Sequence, residues 1–133
     1  MTYQLITLVG NLGDDPSMRY TPNGTAVTNI SVATSNQYTK KDGEKVNETT
    51  WFRVSVWGKS AEACNTYLKK GSKVLVVGRM TVDKATGGPR VYESNGEYKS
   101  SFEVTASEVK FLSSRAEDGK PSNPKKDEMD SPF

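Results

Sequence analysis

The 133-residue sequence contains no histidine and only one cysteine, Cys64. One cysteine cannot form a disulfide within the chain, and it leaves too few ligands for a Cys/His zinc site. Without histidine, nucleophiles of the Ser-His and Cys-His types are also excluded. We therefore expect no disulfide framework, no catalytic residue of these classes, no metal and no cofactor.

Long apolar runs are also absent, and none approaches the length of a membrane span. Residues 1–4 lack the basic and apolar regions of a signal peptide, so we expect a soluble, cytoplasmic protein with no membrane partner. Hydrophobic residues make up 34% of the chain, and mean hydropathy is -0.66. Such polarity is explained by an unstructured segment that dilutes one folded domain. The net charge of +2 does not by itself indicate a nucleic-acid partner.

Residues 48–59 carry the most informative pattern, because alternate side chains differ in chemistry. β-branched and aromatic residues dominate, which predicts a strand with two distinct faces. One face is apolar and is expected to enter the core. The other presents indole rings among cations. The apolar positions are Phe52, Val54 and Val56, and the opposite positions are Trp51, Arg53, Ser55, Trp57 and Lys59.

The tryptophan face has two possible interpretations. Both faces of the strand could be buried, as in a β-sandwich, with Trp51 and Trp57 in the core. However, unpaired buried charge is costly, and Arg53 and Lys59 alternate in phase with the indoles. The pattern therefore favours an exposed platform, where unpaired bases stack on the rings and cations meet the phosphates.

Hydrophobic periodicity predicts four further strands and one helix. The helix is expected over residues 60–70, with Ser60 as N-cap, Lys69 and Lys70 in the last turn and Gly71 beyond its end. Its apolar stripe consists of Ala61, Cys64 and Leu68. The strands are expected over residues 3–12, 25–35, 48–59, 73–84 and 101–112.

The order of three strands, one helix and two strands is that of the all-β, five-stranded oligonucleotide-binding (OB) barrel, in which a helix closes one end. The second and third strands and flanking loops of that fold form its usual ligand face, which is where the tryptophans lie. We therefore predict an OB-fold domain over residues 1–112.

Two segments between the predicted strands have less certain roles. Residues 36–47 contain Tyr38, Lys40 and Lys41, and they are either a solvated loop or a flexible finger that closes on nucleic acid. Their direct connection to the tryptophan strand favours the finger. Residues 85–100 contain turn residues on both sides of a short extended stretch with Tyr92, which predicts a protruding hairpin arm.

The last 21 residues show no periodic apolar pattern and are expected not to fold alone. We divide them into a flexible linker, residues 113–126, and an acidic tip, residues 127–133. The tip is either a solubilising end or a peptide ligand whose final aromatic fills a pocket while its acids meet basic groups. The terminal Pro-Phe favours the ligand. Its residues are Asp127, Glu128, Met129, Asp130, Ser131, Pro132 and Phe133.

Together these motifs resemble bacterial-type single-stranded DNA-binding proteins over residues 3–112 and the last seven residues. The resemblance rests on three stretches and on the acidic tip that ends in Pro-Phe. The stretches are Leu8 to Gly24 with Leu-Val-Gly-Asn-Leu-Gly and Thr-Pro-Asn-Gly, Thr50 to Lys59, and Tyr67 to Ser72.

The resemblance implies an OB fold, a homotetramer, and sequence-independent binding of single-stranded DNA in replication, recombination and repair, in the cytoplasm at the bacterial nucleoid. The acidic tip implies recruitment of partner proteins of these processes. Tyr92 is a candidate substitute for a tryptophan that the family can carry where this chain has Ala85. The predicted stacking residues are Tyr38, Trp51, Trp57 and Tyr92, and the predicted phosphate-binding residues are Lys40, Lys41, Arg53, Lys59, Lys70 and Arg79.

Two alternative functions stay open at this point. A carboxylate- and metal-dependent nuclease would need an acidic cluster, and Asp14-Asp15 is the only adjacent acid pair in the first half of the chain. This pair precedes a proline, which favours a role in a turn, and we predict that the protein is not an enzyme. The other alternative is an OB barrel that binds RNA or acts mainly as an adaptor through its tip.

Overall fold

The computed structural model describes residues 1–112, so the predicted linker and acidic tip lie outside the described residues. Among the described residues, the single helix is far too short to cross a bilayer. The elements are β1 Ile6–Leu12, β2 Ser17–Tyr20, β3 Ala26–Thr39, β4 Lys45–Trp57, α1 Lys59–Tyr67, β5 Lys73–Met80, β6 Val91–Ser94, β7 Glu97–Ser100 and β8 Phe102–Phe111.

Five strands form a closed barrel in the order β1-β5-β8-β4-β3, and β3 returns to β1 to complete the ring. Strand β2 lies outside the ring and extends the sheet beyond β3. All pairings are antiparallel except that between β4 and β8. Helix α1 follows the third barrel strand. The predicted OB fold is therefore confirmed.

The barrel core is built from the inward-facing residues that period-two alternation predicted. Val54 and Val56 of β4 are fully buried, whereas Phe52 is partly buried. Helix α1 closes one end of the barrel with the predicted stripe of Ala61, Cys64 and Leu68. Burial raises the pKa of the Cys64 thiol to about 11, so the thiol stays protonated at neutral pH.

The barrel closes where β1 passes from β5 to β3. Gly10 pairs with β5, and the next residue, Asn11, already pairs with Ala33 of β3. A Cβ at position 10 would overlap the Ala33 carbonyl oxygen and lie 2.9 Å from Val32 Cγ1. Glycine is therefore required here because two backbones approach each other closely.

The helix is shorter than the sequence pattern predicted. It begins at Lys59, its N-cap is Gly58 without a side-chain cap, and no basic residue lies in its last turn. The expected cap at Ser60 and the expected last-turn positions of Lys69 and Lys70 are therefore wrong. Leu68 ends the helix in an extended conformation because its side chain turns into the core, where it is 7% exposed.

Residues 36–47 continue β3 and β4 as a two-stranded hairpin. The strands pair without interruption from Val27 with Trp57 to Thr39 with Lys45. Barrel neighbours pair with them only as far as Ala33 on β3 and Phe52 on β4, so the rest of the hairpin projects beyond the barrel. This segment is therefore a strand-paired finger. Its turn lies at Asp42-Gly43, where Gly43 has a φ of 88° and the Glu44 N–H donates to Asp42 Oδ1 at 2.9 Å.

Residues 85–100 form the predicted hairpin arm. Strands β6 and β7 pair only with each other, through a turn at Asn95-Gly96 in which both residues have positive φ. The arm joins the end of β5 to the start of β8, so its root lies on the barrel.

Candidate functional site

The outer surface of β4 carries the residues singled out from the sequence. Trp51, Arg53, Ser55 and Trp57 point away from the core, because the residues between them point into it. At about 3.3 Å per residue, the two indoles are separated by about 20 Å along the strand. Directly paired residues of neighbouring strands share this surface, which we call the outer face.

Trp51 lies over the main chain of Gly13, just after β1 ends. Its side chain is 53% exposed, and a Cβ at position 13 would lie only 2.6 Å from the ring atom Cη2. Across the sheet Trp51 pairs with Ala33, whose small side chain leaves the ring uncovered. The indole is therefore supported from beneath and open to solvent above.

Trp57 forms the other end of the outer face and is 46% exposed. It pairs with Val27, which is fully buried although it lies on the outer side of β3. Val27 pairs in turn with Arg19 of β2, so an exposed guanidinium lies two strands away from the indole, with β3 between them. Arg19 was not predicted as a site residue. The sequence shows that Ser17 and Arg19 fall on the same side of an extended segment. It does not show that so short a strand pairs with β3.

Arg53 lies between the tryptophans, two residues after Trp51 and four before Trp57. It is flanked by Ser31 on β3 and by Glu103 on β8, and its own side chain is exposed. Arg79 reaches the same surface through its pairing with Thr105 of β8. Within residues 1–112, neither Arg53 nor Arg79 forms an ion pair, so both charges are available to an anionic ligand.

The predicted cations Lys59 and Lys70 lie at opposite ends of the outer face. Lys59 opens helix α1 two residues after Trp57. The main-chain N–H of Lys70 donates to Asp15 Oδ1 at 2.9 Å. Because Asp15 follows Gly13 by two residues, this hydrogen bond holds Lys70 near the Trp51 end. Both lysine side chains are exposed.

Tyr38 lies on the projecting hairpin, but not on the pleat surface that carries the indoles. The uninterrupted register places it in phase with Ile30 and Val32, which face the core. Its hydroxyl bonds to Glu48 Oε1 at 3.2 Å, and this hydrogen bond, with the charge of Glu48, raises the pKa of Tyr38. The ring is exposed beside a depression of about 290 Å³ lined by Gln37, Tyr38, Thr39, Lys45, Val46 and Asn47.

The hairpin tip carries acids as well as the two predicted lysines. Lys40 Nζ lies 3.8 Å from Glu44 Oε2, and both side chains are exposed. Lys41 follows in the turn and is exposed. An exposed ion pair of this kind is weak, so Lys40 can exchange Glu44 for another anion.

Tyr92 lies on the arm rather than on the barrel. The Arg90 guanidinium lies over its ring, 5.6 Å from the centroid. Arg90 also forms an ion pair with Glu103, the β8 neighbour of Arg53. Ala85, where the family can carry a tryptophan, is exposed in the turn that precedes the arm.

The acidic residues of the described chain do not assemble into a metal site. No group of three or more acids or cysteines among residues 1–112 is arranged to hold an ion. Asp15 of the Asp14-Asp15 pair instead accepts the Lys70 N–H, a hydrogen bond between segments distant in the sequence.

The model of the single-strand binding protein family matches residues 3–112 of this chain. The chain belongs to this family. Relatives named single-stranded DNA-binding protein include those of Wolinella succinogenes, 37% identical over 113 residues, and Xanthomonas axonopodis pv. citri, 40% identical over 112 residues. These matches cover 85% and 84% of this chain, but only 66% and 59% of the relatives' lengths.

Solved structures of the family have the same fold. A deletion mutant of the single-stranded DNA binding protein from Thermus aquaticus superposes with a TM-score of 0.66 at 31% identity, over 84% of this chain and 51% of that chain. The Plasmodium falciparum SSB complex with ssDNA superposes with a TM-score of 0.71 at 24% identity, over 85% of this chain and 97% of that chain.

The contact between Trp51 and Gly13 yields a direct test of the site geometry. In a Trp57→Phe background, where Trp51 is the only tryptophan, Gly13→Ala should push the indole off the main chain and increase its quenching by acrylamide. Gly88→Ala is the matched control, because a Cβ there has only Thr86 Oγ1 nearby, at 3.7 Å. Unchanged quenching in Gly13→Ala would show that Gly13 does not support the ring.

Proposed function

We propose that this member of the family binds single-stranded DNA without sequence preference. The observation that carries the proposal is the pair of half-exposed indoles on β4 with an unpaired arginine between them. Every base has a π-face, so stacking on Trp51 and Trp57 is tolerant of sequence. The relatives, named single-stranded DNA-binding protein, support the same ligand.

Cations around the indoles take the phosphates in this proposal. Their release of counterions makes binding weaken as salt rises. No side chain of the outer face is committed to reading a base edge, and duplex DNA, whose bases are already stacked, binds poorly. The proposed phosphate contacts are Arg53, Lys59, Lys70, Arg79, Lys40, Lys41 and the newly located Arg19.

Tyr38 and Tyr92 extend the proposed contacts beyond the barrel. Tyr38 lies on the opposite surface of the hairpin from the indoles. A base can therefore reach Tyr38 only if the DNA passes around the edge of the hairpin. Tyr92 offers a ring on the arm side. Trp51 and Trp57 therefore form the principal stacking platform, and the two tyrosines are secondary contacts.

Alanine substitution of Trp51 or Trp57 should weaken binding to oligo-dT by about 1–3 kcal/mol, the usual contribution of one stacked base. Fluorescence anisotropy of labelled oligo-dT measures this loss. Tyr67→Ala is the control, since Tyr67 is an exposed aromatic on α1 outside the outer face. Equal losses in all three variants would contradict the platform.

Competition experiments separate this proposal from its alternatives. Matched RNA that competes as well as DNA would favour a general single-strand binder, and duplex DNA that competes equally would overturn stacking as the mechanism. A labelled strand that stays intact with magnesium is the outcome expected of a protein that is not a nuclease.

The edge of β1 supports a proposal about assembly. From Ile6 to Gly10, β1 pairs with β5 on one side, and its other edge has no partner strand among residues 1–112. Leu5 and Val9 are exposed beside it. An open edge with apolar neighbours is suited to pairing with a second copy, and we extend this to the homotetramer that the family resemblance implies.

Val9→Lys should shift the assembly toward smaller species, because it places a charge beside the proposed β1–β1 pairing. Light scattering coupled to gel filtration measures the subunit count. Tyr20→Lys is the control, because Tyr20 is an exposed residue on β2, which pairs with β3 and not with β1. If wild-type protein elutes as a monomer, or Val9→Lys leaves a tetramer intact, the edge is not the interface.

We further propose that strand binding serves replication, recombination and repair, and that the acidic tip, residues 127–133, recruits partner proteins. Three acids, Asp127, Glu128 and Asp130, precede the aromatic Phe133. This is the chemistry of a peptide that fits an apolar pocket with a basic rim. Residues 113–126 act as its linker.

Deletion of residues 127–133 should abolish capture of partner proteins while strand binding survives. We expect binding to oligo-dT to become modestly tighter at low salt, because the acids no longer compete for the cationic groups. Anisotropy titration and pull-down with the full-length chain measure the two effects. Weaker strand binding after deletion would contradict the competition.

A further inference from the structure

The arm has few ways to hold its position on the barrel. Strands β6 and β7 form a sheet of their own, and neither pairs with a barrel strand. The apolar side chains Val91 and Tyr98 are exposed, so no hydrophobic packing anchors them. An isolated two-stranded hairpin is marginally stable in water. Contacts near its root therefore decide how the arm is presented.

The root itself is fixed by main-chain hydrogen bonds. Thr81 N–H donates to the Glu103 carbonyl at 2.8 Å, and Gly87 N–H donates to the Asp83 carbonyl at 2.7 Å. These bonds fix the chain as far as Gly88, two residues before Arg90. They do not reach β6, and on the other side only Ser101 separates β7 from β8, so side-chain contacts are what can fix the β6 side of the arm.

The ion pair between Arg90, which directly precedes β6, and Glu103 of β8 connects the arm with the barrel. Arg90 Nε lies 3.0 Å from Glu103 Oε2, and the Glu103 side chain is only 13% exposed, whereas that of Arg90 is 50% exposed. Ser101 Oγ also lies 3.5 Å from the same carboxylate oxygen. A partly buried carboxylate held by a charge-assisted hydrogen bond is a firmer anchor than an exposed pair.

The same arginine positions an aromatic ring. Its guanidinium lies over Tyr92, whose ring is thereby linked through Arg90 to Glu103. Glu103 in turn pairs with Arg53 across the parallel β4–β8 ladder. Tyr92, Arg90 and Glu103 are thus linked by side-chain contacts, and Glu103 is the strand neighbour of Arg53 on the outer face.

We propose that the Arg90–Glu103 ion pair is a latch that fixes the arm and sets Tyr92 beside the outer face as a third stacking ring. Arg90 and Glu103 are positioning residues in this proposal, since they act through Tyr92. The role of Tyr92 rests on the proposed DNA binding, whereas the latch between arm and barrel does not.

For Glu103→Gln, simple electrostatics and the latch predict opposite changes in the affinity for DNA. Glu103→Gln removes a negative charge from the centre of a cationic face, so simple electrostatics predicts tighter binding of DNA. The latch predicts weaker binding, because the arm and Tyr92 lose their anchor. The sign of the change therefore distinguishes the two accounts.

The first experiment measures the arm without DNA. In the full chain, hydrogen exchange of the amides of residues 91–100 should become about fivefold faster in Glu103→Gln and in Arg90→Ala. A change of about fivefold corresponds to the upper end of the stability that a partly exposed ion pair contributes. Lys84→Ala removes one exposed positive charge from the turn before the arm but no latch contact, and should leave exchange unchanged. Exchange that is unaltered in both latch variants would overturn the proposal.

The second experiment measures binding of oligo-dT by anisotropy. Glu103→Gln should weaken binding by about fivefold, the lower end of the loss of one stacked base. In a Tyr92→Ala background, Glu103→Gln should cause no further weakening, because the ring that the latch positions is gone. Tighter binding in Glu103→Gln would overturn the proposal, and so would full additivity with Tyr92→Ala.

Failure of the latch and failure of the proposed function give different results. If wild-type protein does not bind oligo-dT, the DNA-binding proposal fails, while the exchange experiment still tests the latch. If wild-type protein binds and Glu103→Gln has normal exchange and unchanged or tighter binding, only the latch fails. Arg90→Ala keeps the test decisive even if Glu103→Gln unfolds, because the Arg90 side chain is half-exposed.

Discussion

Burial of one side of β4 is the constraint on which the rest of the structure depends. Val54 and Val56 are fully excluded from water, and the pleat then forces Trp51, Arg53 and Trp57 to the opposite surface. A slip of one residue would exchange core and site, at the cost of exposing the valines and burying an arginine. The hydrophobic core therefore fixes which side chains a ligand can meet.

The sequence alone was sufficient to predict features that depend on the spacing of side chains within a single strand or helix. The two faces of β4 and the stripe of α1 follow from spacing along one element. Arg19, Glu103 and the position of Lys70 could not be predicted, because each depends on pairing between distant segments: β2 with β3, β8 with β4, and the 70–72 segment with the end of β1. The hairpin over 36–47 was missed as strands because side chains beyond the barrel have no buried face to impose alternation.

The acids on and near the outer face limit how strongly it attracts anions. Glu103 lies beside Arg53, Glu44 beside Lys40, and Asp15 near Lys70. Glu103 and Asp15 also hold local geometry, through Arg90 and the Lys70 N–H, while they lower the potential. The outer face therefore combines exposed aromatic rings with moderate, distributed charge, which agrees with a net charge of only +2.

The unbroken β3–β4 ladder also bears on how family members can diverge in length. Because the hairpin leaves the barrel after Ala33 and Trp51, residues added at its turn would not enter the barrel. Insertions of equal, even length in both strands would preserve every existing cross-strand pair and the side each residue faces. The reach of this appendage can therefore change in evolution, or by engineering, without a change in the packing that keeps the domain folded.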